Sequence, residues 1–140
     1  MGRYIAIDYG TKRTGIAVTD PLKIIANALD TVPTHELMNY LSGYIAVEPV
    51  EKLIVGLPLK MDHTDSGSMK YVKQFVHAFN KRYPEIPVEW IDERFTSKLA
   101  VKAMISGGMK KSERRKKENL DKISAVILLQ SYLEQQNKNH

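Results

Sequence analysis

The segment Lys52–Gly56, which reads KLIVG, is the most strand-like run of the chain and constrains its fold more than any other feature. Its apolar centre, Leu53–Val55, is continuous, as is typical of a strand that is covered on both faces. Amphipathic helical patterns lie on both sides of it in the sequence, one with Thr34 as its candidate N-cap and one over about residues 68–83. A strand between two such helices indicates an α/β fold.

The remaining strand-like runs extend this pattern into a sheet. Before KLIVG, strands are predicted at Arg3–Asp8, Thr14–Thr19 and Lys23–Thr31, with the third at an edge or in a short pairing. After it, a strand at Val88–Ile91 precedes two helices, one capped by Thr96 or Ser97 and one over about residues 119–136. We therefore predict an α/β fold with a mixed central sheet of about five strands and helices on both faces.

Length and composition predict a single soluble domain over residues 1–140. Hydrophobic residues make up 43% of the chain and charged residues 26%, which is close to the average for globular domains. The longest apolar run, Ala125–Leu129, is far shorter than the roughly 20 residues that span a bilayer, and the N-terminus lacks the apolar stretch of a signal peptide. The absence of cysteine excludes disulfides and thiolate nucleophiles and favours a cytoplasmic location.

The positive charge of the chain is concentrated in one segment. The chain has 21 Lys and Arg against 16 Asp and Glu, a net charge of +5, and segment 110–122 alone holds seven bases and three acids. Such a run is either a solvated surface or a contact for a polyanion. The bases that would contact nucleic acid there are Lys110, Lys111, Arg114, Arg115, Lys116 and Lys117.

Acidic residues lie at the ends of two predicted strands. Asp8 ends the first strand, on the face that it shares with Tyr4 and Ala6, so it projects from a sheet that is otherwise apolar. Asp92 and Glu93 follow the fifth strand, and because strand side chains alternate, only one of them can face the side of a given site. A turn residue is the alternative interpretation of Asp8.

A third acid, Asp121, lies in the last predicted helix. On a helical wheel its direction falls between those of Leu128 and Tyr132, within a mostly apolar or small-residue stripe. A buried carboxylate must be paired, protonated or bound to a cation, because burying it alone costs several kcal/mol. The alternative is an acid that the helix dipole stabilises in the first turn.

Acids from a first strand, a later strand end and a final helix can converge on one point. Carboxylate oxygens without a histidine or cysteine partner suit Mg²⁺ or Mn²⁺. Two such ions, about 3.5–4 Å apart, can activate a water and stabilise the leaving oxygen of a phosphodiester. The spacing alone does not establish the convergence.

Four blocks of the sequence together resemble those of one protein family. They are IAIDYGTKRTGIAVTD (Ile5–Asp20), VGLPLKMD (Val55–Asp62), DERFTS (Asp92–Ser97) and LDKISAVILLQSYL (Leu120–Leu133). In this order, over nearly the whole chain, they resemble the YqgF family, the Holliday-junction-resolvase-like family of pre-16S rRNA nucleases. The resemblance implies a ribonuclease H-like fold, a bacterial cytoplasmic setting and a metal-dependent nuclease, with Asp8, Glu93 and Asp121 as catalytic and metal-binding residues.

The carboxylate ligands predict Mg²⁺ or Mn²⁺ as the cofactor, with two ions, and the resemblance implies nucleic acid as the partner. The choice between a monomer and a homodimer stays open. The resemblance favours precursor rRNA, with cleavage at the 5′ end of pre-16S rRNA, over branched DNA. Lys12 and Arg13 follow the first acid in a glycine-bounded loop and are candidate phosphate contacts, although a surface arginine is the alternative for Arg13. The chain departs from the family at Asp62, which His63 follows where the family usually has glycine.

Two other functions fit parts of the sequence. The block DYGTKRTG also resembles the phosphate-binding hairpin of sugar kinases and actin-like ATPases, which contain two such domains. Gly10 and Gly15 have the spacing of a Walker A loop, but Ile16 and Ala17 stand where that loop requires Lys and Ser or Thr. A third interpretation is a non-catalytic module whose basic segment docks on RNA or a ribosomal partner.

Overall fold

One mixed sheet of five strands organises the protein. A computed structural model describes residues 2–57, 69–92 and 114–138, with the side chains of the last segment from 122 to 136. The elements are β1 (Arg3–Asp8), β2 (Arg13–Thr19), β3 (Ala26–Pro33), α1 (Leu37–Val47), β4 (Val50–Leu57), α2 (Met69–Arg82), β5 (Val88–Asp92) and α3 (Arg114–Lys138). The strand order is β3-β2-β1-β4-β5, with β1, β4 and β5 parallel and β2 antiparallel to both of its neighbours. The predicted mixed sheet is confirmed.

Helices cover the sheet on both faces. Leu53 and Val55 pack into a core with α1 and α2, whereas Ile54, between them, packs into a second core with α3. All three side chains are fully buried. The continuous apolar run in β4 is therefore explained by burial on both sides, as the sequence predicts.

The third strand begins later than the sequence predicts. The carboxylate of Asp20 accepts hydrogen bonds from the backbone N–H groups of Leu22, Ile24 and Ile25, at 3.2, 2.8 and 2.8 Å. Lys23 adopts a left-handed backbone conformation with φ of 60° within this turn. The turn thus occupies the positions predicted as strand, and β3 starts at Ala26. Its position at the edge of the sheet is as predicted.

The prediction that Thr34 caps α1 is wrong. A 3-10 turn, Thr34–Glu36, precedes the helix, and no side-chain hydrogen bond caps Leu37–Val47. The Thr34 hydroxyl instead donates to the carbonyl of Gly10. Threonine often caps helices, but the hydroxyl of Thr34 instead bonds to a loop more than 20 positions earlier in the chain.

The last helix begins at Arg114 and not near residue 119, so the bases Arg114–Lys117 belong to it. Arg, Lys and Glu are good helix formers, which lets the helix continue beyond its apolar stripe. The predicted start of this helix near residue 119 is therefore wrong. The helix predicted after Thr96 lies outside the described residues. Of the helices that the structure describes, none is long and apolar enough to cross a membrane.

Candidate active site

Asp8 is a buried acid at the carboxyl end of β1. It is 6% exposed and lies on the face of Tyr4 and Ala6, both of which belong to the core beneath α3. Across the strand pair it lies opposite Gly15, which has no side chain. The predicted strand end and the predicted face of Asp8 are both confirmed.

The loop that follows Asp8 is tightly closed. A Cβ added to Gly10 would lie 2.3 Å from the carbonyl oxygen of Arg13, so the backbone approach requires glycine at this position. Thr34 fastens the loop from outside, because its N–H donates to the carbonyl of Lys12 at 2.9 Å and its hydroxyl donates to that of Gly10. The hydroxyl of Thr14, fully buried, lies 3.0 Å from that of Thr34.

This closure sets the positions of two predicted nucleic-acid contacts. Lys12 lies in the fastened loop and Arg13 opens β2, and both are exposed. They therefore flank the edge of the sheet at which Asp8 ends. The sequence predicts both residues but misses Thr34, whose hydroxyl acts across 24 positions and leaves no local signal.

The fifth strand ends at the same edge as β1, because β1, β4 and β5 are parallel. Ile7 pairs with Val55 and Gly56 pairs with Ile91, so Asp8 and Ile91 lie at the same level of the sheet, on two strands that β4 separates. Ile91 packs beneath α3, on the Asp8 face. Asp92 therefore faces the opposite side. Glu93 lies outside the described residues.

The last helix runs from the Asp8 end of the sheet toward the start of β1. The ring of Tyr132 packs edge-on against that of Tyr4 at 5.8 Å, near the start of β1, and Ala125 packs in the same core as Ala6. At about 1.5 Å per helical residue, position 121 lies about 16 Å before Tyr132, and β1 covers about 13 Å from Tyr4 to Asp8. The helix backbone at position 121 is thus brought to the Asp8 end of the sheet, although the side chain of Asp121 is not among those described.

A buried hydroxyl near this end has no hydrogen-bond partner among the described residues. It belongs to Ser124, one turn after position 121, and the residue is fully buried. A buried polar group without a partner loses about 1–3 kcal/mol relative to water, so this hydroxyl calls for a partner outside the described residues or a bound water. The hydroxyl lies on the helix that covers Asp8.

Only one carboxylate of the predicted metal site lies among the described side chains. Within the described residues, no group of three or more acidic, histidine or cysteine side chains could hold a metal. Asp8 is the one predicted ligand whose side chain is described, and its oxygens are donors that suit Mg²⁺ or Mn²⁺. The side chains of the other predicted site residues lie outside those that the structure describes. They are Glu93, Asp121, Lys110, Lys111, Arg114, Arg115, Lys116 and Lys117. His63 also lies outside the described residues.

A polar cluster holds the other end of α3, near the amino ends of β1 and β4. The Tyr132 hydroxyl donates to Glu89 and accepts from Lys52 Nζ at 2.6 Å and Gln136 Nε2 at 2.8 Å. Lys52 also lies over the rings of Tyr4 and Tyr132, at 5.1 and 5.2 Å. Burial, with the hydrogen bond to Glu89, raises the pKa of Tyr132 to about 12. The sequence misses this cluster because its members are distant in the chain.

Comparisons with known proteins extend over nearly the whole described fold. The family model described as RuvX, Holliday junction resolvase, matches residues 2–135. A relative from Bacteroides thetaiotaomicron named "Putative pre-16S rRNA nuclease" is 57% identical over 134 residues, covering 96% of this chain and 97% of the relative. Relatives of the same name from Porphyromonas gingivalis (51% identical, 96% and 97% covered) and Flavobacterium johnsoniae (47% identical, 95% and 96% covered) also match.

Proposed function

The chain belongs to the RuvX family, described as Holliday junction resolvases, and we propose that it is a metal-dependent nuclease that processes the 5′ end of pre-16S rRNA. The family resemblance read from the four sequence blocks is thereby confirmed, and with it the hydrolysis of phosphodiester bonds. The observation that carries the proposal is the buried Asp8 at the carboxyl edge of parallel strands, on the face that α3 covers. The relatives named as pre-16S rRNA nucleases support the choice of substrate.

Glu93 and Asp121 complete the proposed acidic site. Alternation along β5 supports Glu93, because Ile91 faces the Asp8 side and Asp92 faces away. The direction of α3 supports Asp121, since the helix carries that position to the Asp8 end of the sheet. The hydroxyl of Ser124, which has no hydrogen-bond partner among the described residues, is one turn away and would be open to a ligand or water there.

The three carboxylates would hold Mg²⁺ or Mn²⁺. They include no nitrogen or sulfur ligand, which softer metals prefer. Two bound ions would supply activation of the attacking water and stabilisation of the leaving oxygen. Asp8, held on an inner strand of the sheet, would fix one side of the site. Thr34 holds the loop that contains Lys12 and precedes Arg13. These two bases would neutralise phosphates beside the scissile bond.

The basic residues of segment 110–117 would contact phosphates on either side of that bond without reading bases. Arg114–Lys117 precede position 121 on the same helix, so the helix that supplies an acid also supplies the surrounding positive charge. We propose that the protein acts in the cytoplasm as a single domain over residues 1–140, with precursor rRNA as its partner.

A direct comparison of substrates tests the proposal. Purified protein is given labelled precursor rRNA or a four-way DNA junction, each with Mg²⁺ or Mn²⁺ and each with excess chelator. Metal-dependent cleavage of the precursor rRNA supports the proposed function. Cleavage of the junction alone would favour a branched-DNA resolvase, the second candidate, which the description of the matching family supports. Binding without cleavage in either metal would leave a non-catalytic module.

A further inference from the structure

The turn that connects β2 to β3 presents apolar side chains to solvent. Leu22, Ile24 and Ile25 are 69, 63 and 57% exposed, and they are three of the seven large apolar side chains that are exposed among the described residues. Asp20 fixes the turn, because its carboxylate accepts hydrogen bonds from three backbone N–H groups. Clustered apolar exposure indicates an interaction surface, and a turn that is already fixed loses little conformational entropy on binding.

Backbone hydrogen bonds show which groups of β3 point away from β2. At the start of the strand, the carbonyl of Ile25 accepts a hydrogen bond from the N–H of Asp20, on the β2 side, at 3.2 Å. Backbone groups alternate in direction along an antiparallel strand, so the N–H and C=O groups of Ala26 and Ala28 point outward. β3 is last in the strand order, so this outer side faces no other described strand. Asn27 and Ala28 are exposed.

The far half of β3 is closed to further pairing. The N–H of Thr31 donates to the carboxylate of Asp30 at 2.8 Å, and Pro33 has no N–H. The ladder is also irregular there, because Ala28 and Asp30 pair with consecutive residues of β2. Proline and such bulges commonly protect edge strands from pairing with other chains. The open edge is therefore confined to residues 26–28, directly beside the apolar turn.

This open edge is complementary to itself. In an antiparallel pair with Asn27 opposite Asn27 of a second copy, Ala26 and Ala28 of the two copies exchange backbone hydrogen bonds. Ala26 packs on the α3 side, so Ile25 and Asn27 face the other side, where Leu29 lies half-buried at the margin of the core beneath α1 and α2. Ile25 then lies opposite Leu29 of the second copy, and the two Asn27 amides can bond across the axis.

Charge does not oppose this pairing. Asp30 is the single charged residue of β3, and its position in the pairing lies six residues from that of Asp30 in the second copy. At about 3.3 Å per residue the two carboxylates are about 20 Å apart, beyond the range at which exposed charges repel strongly in physiological salt.

We propose that two copies of this chain associate through β3, about a two-fold axis at Asn27, and join their sheets into one. Such an axis is perpendicular to the sheet, so both Asp8 residues lie on the same face, five strand spacings or about 24 Å apart across the sheet. The open edge and the apolar turn are smaller than the standard interface of about 800 Å² per copy, so the dimer is reversible, with a micromolar dissociation constant. The inference concerns assembly and does not depend on the proposed nuclease function.

Sedimentation of the full chain over a range of concentrations tests the proposal. The parent protein should dimerise reversibly. Ile25→Ser should raise the dissociation constant at least about fivefold, because it removes the apolar contact with Leu29 of the second copy. Val47→Ser is the matched control. Val47 is also an exposed apolar residue, at 77%, but it precedes β4, which lies three places from β3 in the sheet. This variant should dimerise as the parent does.

Two charge variants test the position of the axis. Asn27→Asp and Asn27→Lys each place like charges opposite one another in a dimer, so each variant alone should dimerise at least about fivefold more weakly than the parent. An equimolar mixture of the two places a carboxylate opposite an ammonium group. The mixture should therefore associate more tightly than either variant alone, which only an axis at this position explains.

Three results would overturn the inference. The first is a parent protein that stays monomeric up to about 1 mM, which would leave the turn and edge to a strand of another protein. The second is a dimer that Ile25→Ser does not weaken, and the third is a mixture of the charge variants that associates no better than either alone. Thermal melting of each variant checks that these exposed substitutions leave the fold intact.

Discussion

Asp8 lies directly opposite Gly15 across the β1–β2 pair, so the residue that faces the acid there has no side chain. Small residues continue around it on the same face, since Ala6 and Ala17 pack in the core with Ala125 of α3. A helix lies close to a sheet where the facing side chains are small. The arrangement therefore brings the α3 backbone near a carboxylate that large neighbours would otherwise cover.

Replacing Asp8 by Asn should abolish cleavage and preserve the fold. The amide keeps the shape of the carboxylate but lacks the charge that holds a divalent cation, so we expect activity to fall by at least about 100-fold. Glu93→Gln and Asp121→Asn should behave in the same way. Cleavage rates and thermal melts of each variant measure the two effects.

Asp92→Asn is the matched control for these variants. Asp92 ends β5 beside the proposed ligand Glu93, but it faces away from Asp8. Its variant should therefore retain cleavage. Parent-level activity in Asp8→Asn, Glu93→Gln or Asp121→Asn would remove that residue from the site.

Activity should require Mg²⁺ or Mn²⁺ and disappear in excess chelator, because all the proposed ligands are hard oxygen donors. Ca²⁺ should bind without supporting turnover, since its looser coordination holds the reacting oxygens poorly in line. Cleavage assays across these ions, with a chelator arm, measure the dependence. Full activity in chelator would contradict the proposed mechanism.

The basic turn of α3 should contribute non-specific affinity for nucleic acid. Replacing Arg114, Arg115, Lys116 and Lys117 by Ala is expected to weaken binding to unrelated sequences about equally, because phosphate contacts carry no sequence information. Each lost contact should flatten the dependence of log affinity on log salt by about 0.7 for single strands. Metal binding should be unaffected. Parent-level affinity with the same salt slope would make this turn a solvated surface only.

The Asp8 side of the site was predictable from local sequence. Alternation fixes the face of Asp8 relative to Tyr4 and Ala6, and the end of an apolar run fixes its place at the end of a strand. The continuous run in β4 likewise reveals its burial on both sides. These features depend on neighbours within a few positions, which is the range over which periodicity carries information.

The long-range contacts that hold the loop after Asp8 and the far end of α3 were not predictable in this way. Thr34 reaches Gly10 across 24 positions, and Tyr132 reaches Lys52 across 80. Thr34 carries the local signal of a helix cap, and tertiary structure overrides it. The start of α3 was missed for a different reason, because a charged helical turn outside the apolar stripe has no periodic signal.

Gly10→Ala should distort the loop after Asp8. The added Cβ would meet the backbone carbonyl of Arg13 at 2.3 Å, and backbone cannot move aside as a flexible side chain can. We expect a loss of about 1–3 kcal/mol in unfolding free energy, with reduced cleavage because Lys12 and Arg13 shift. Gly43→Ala in α1 is the control, since nothing lies within 4 Å of its added Cβ and alanine favours the helix by up to about 1 kcal/mol. Equal stability of the two variants would contradict the close approach at Gly10.

Tyr132→Phe should destabilise the fold in a manner that depends on pH. The variant removes a hydroxyl that bonds Glu89, Lys52 and Gln136, so we expect a loss of about 1–2 kcal/mol near neutral pH. The pKa of Tyr132 is raised to about 12 by burial and by the hydrogen bond to Glu89, above its ordinary value of 10.0.

The raised pKa fixes the direction of the pH effect. A group that holds its proton more tightly when folded contributes stability that is complete below its unfolded pKa and is lost as the pH rises through its folded pKa. The difference in unfolding free energy between the parent and Tyr132→Phe should therefore be largest below pH 10 and shrink between pH 10 and about 12. Denaturant titrations of both proteins across that range measure it. If this difference in unfolding free energy stayed constant with pH, the Tyr132 hydroxyl would have the same pKa in the folded and unfolded chains. The cluster at the far end of α3 would then not stabilise the protonated hydroxyl.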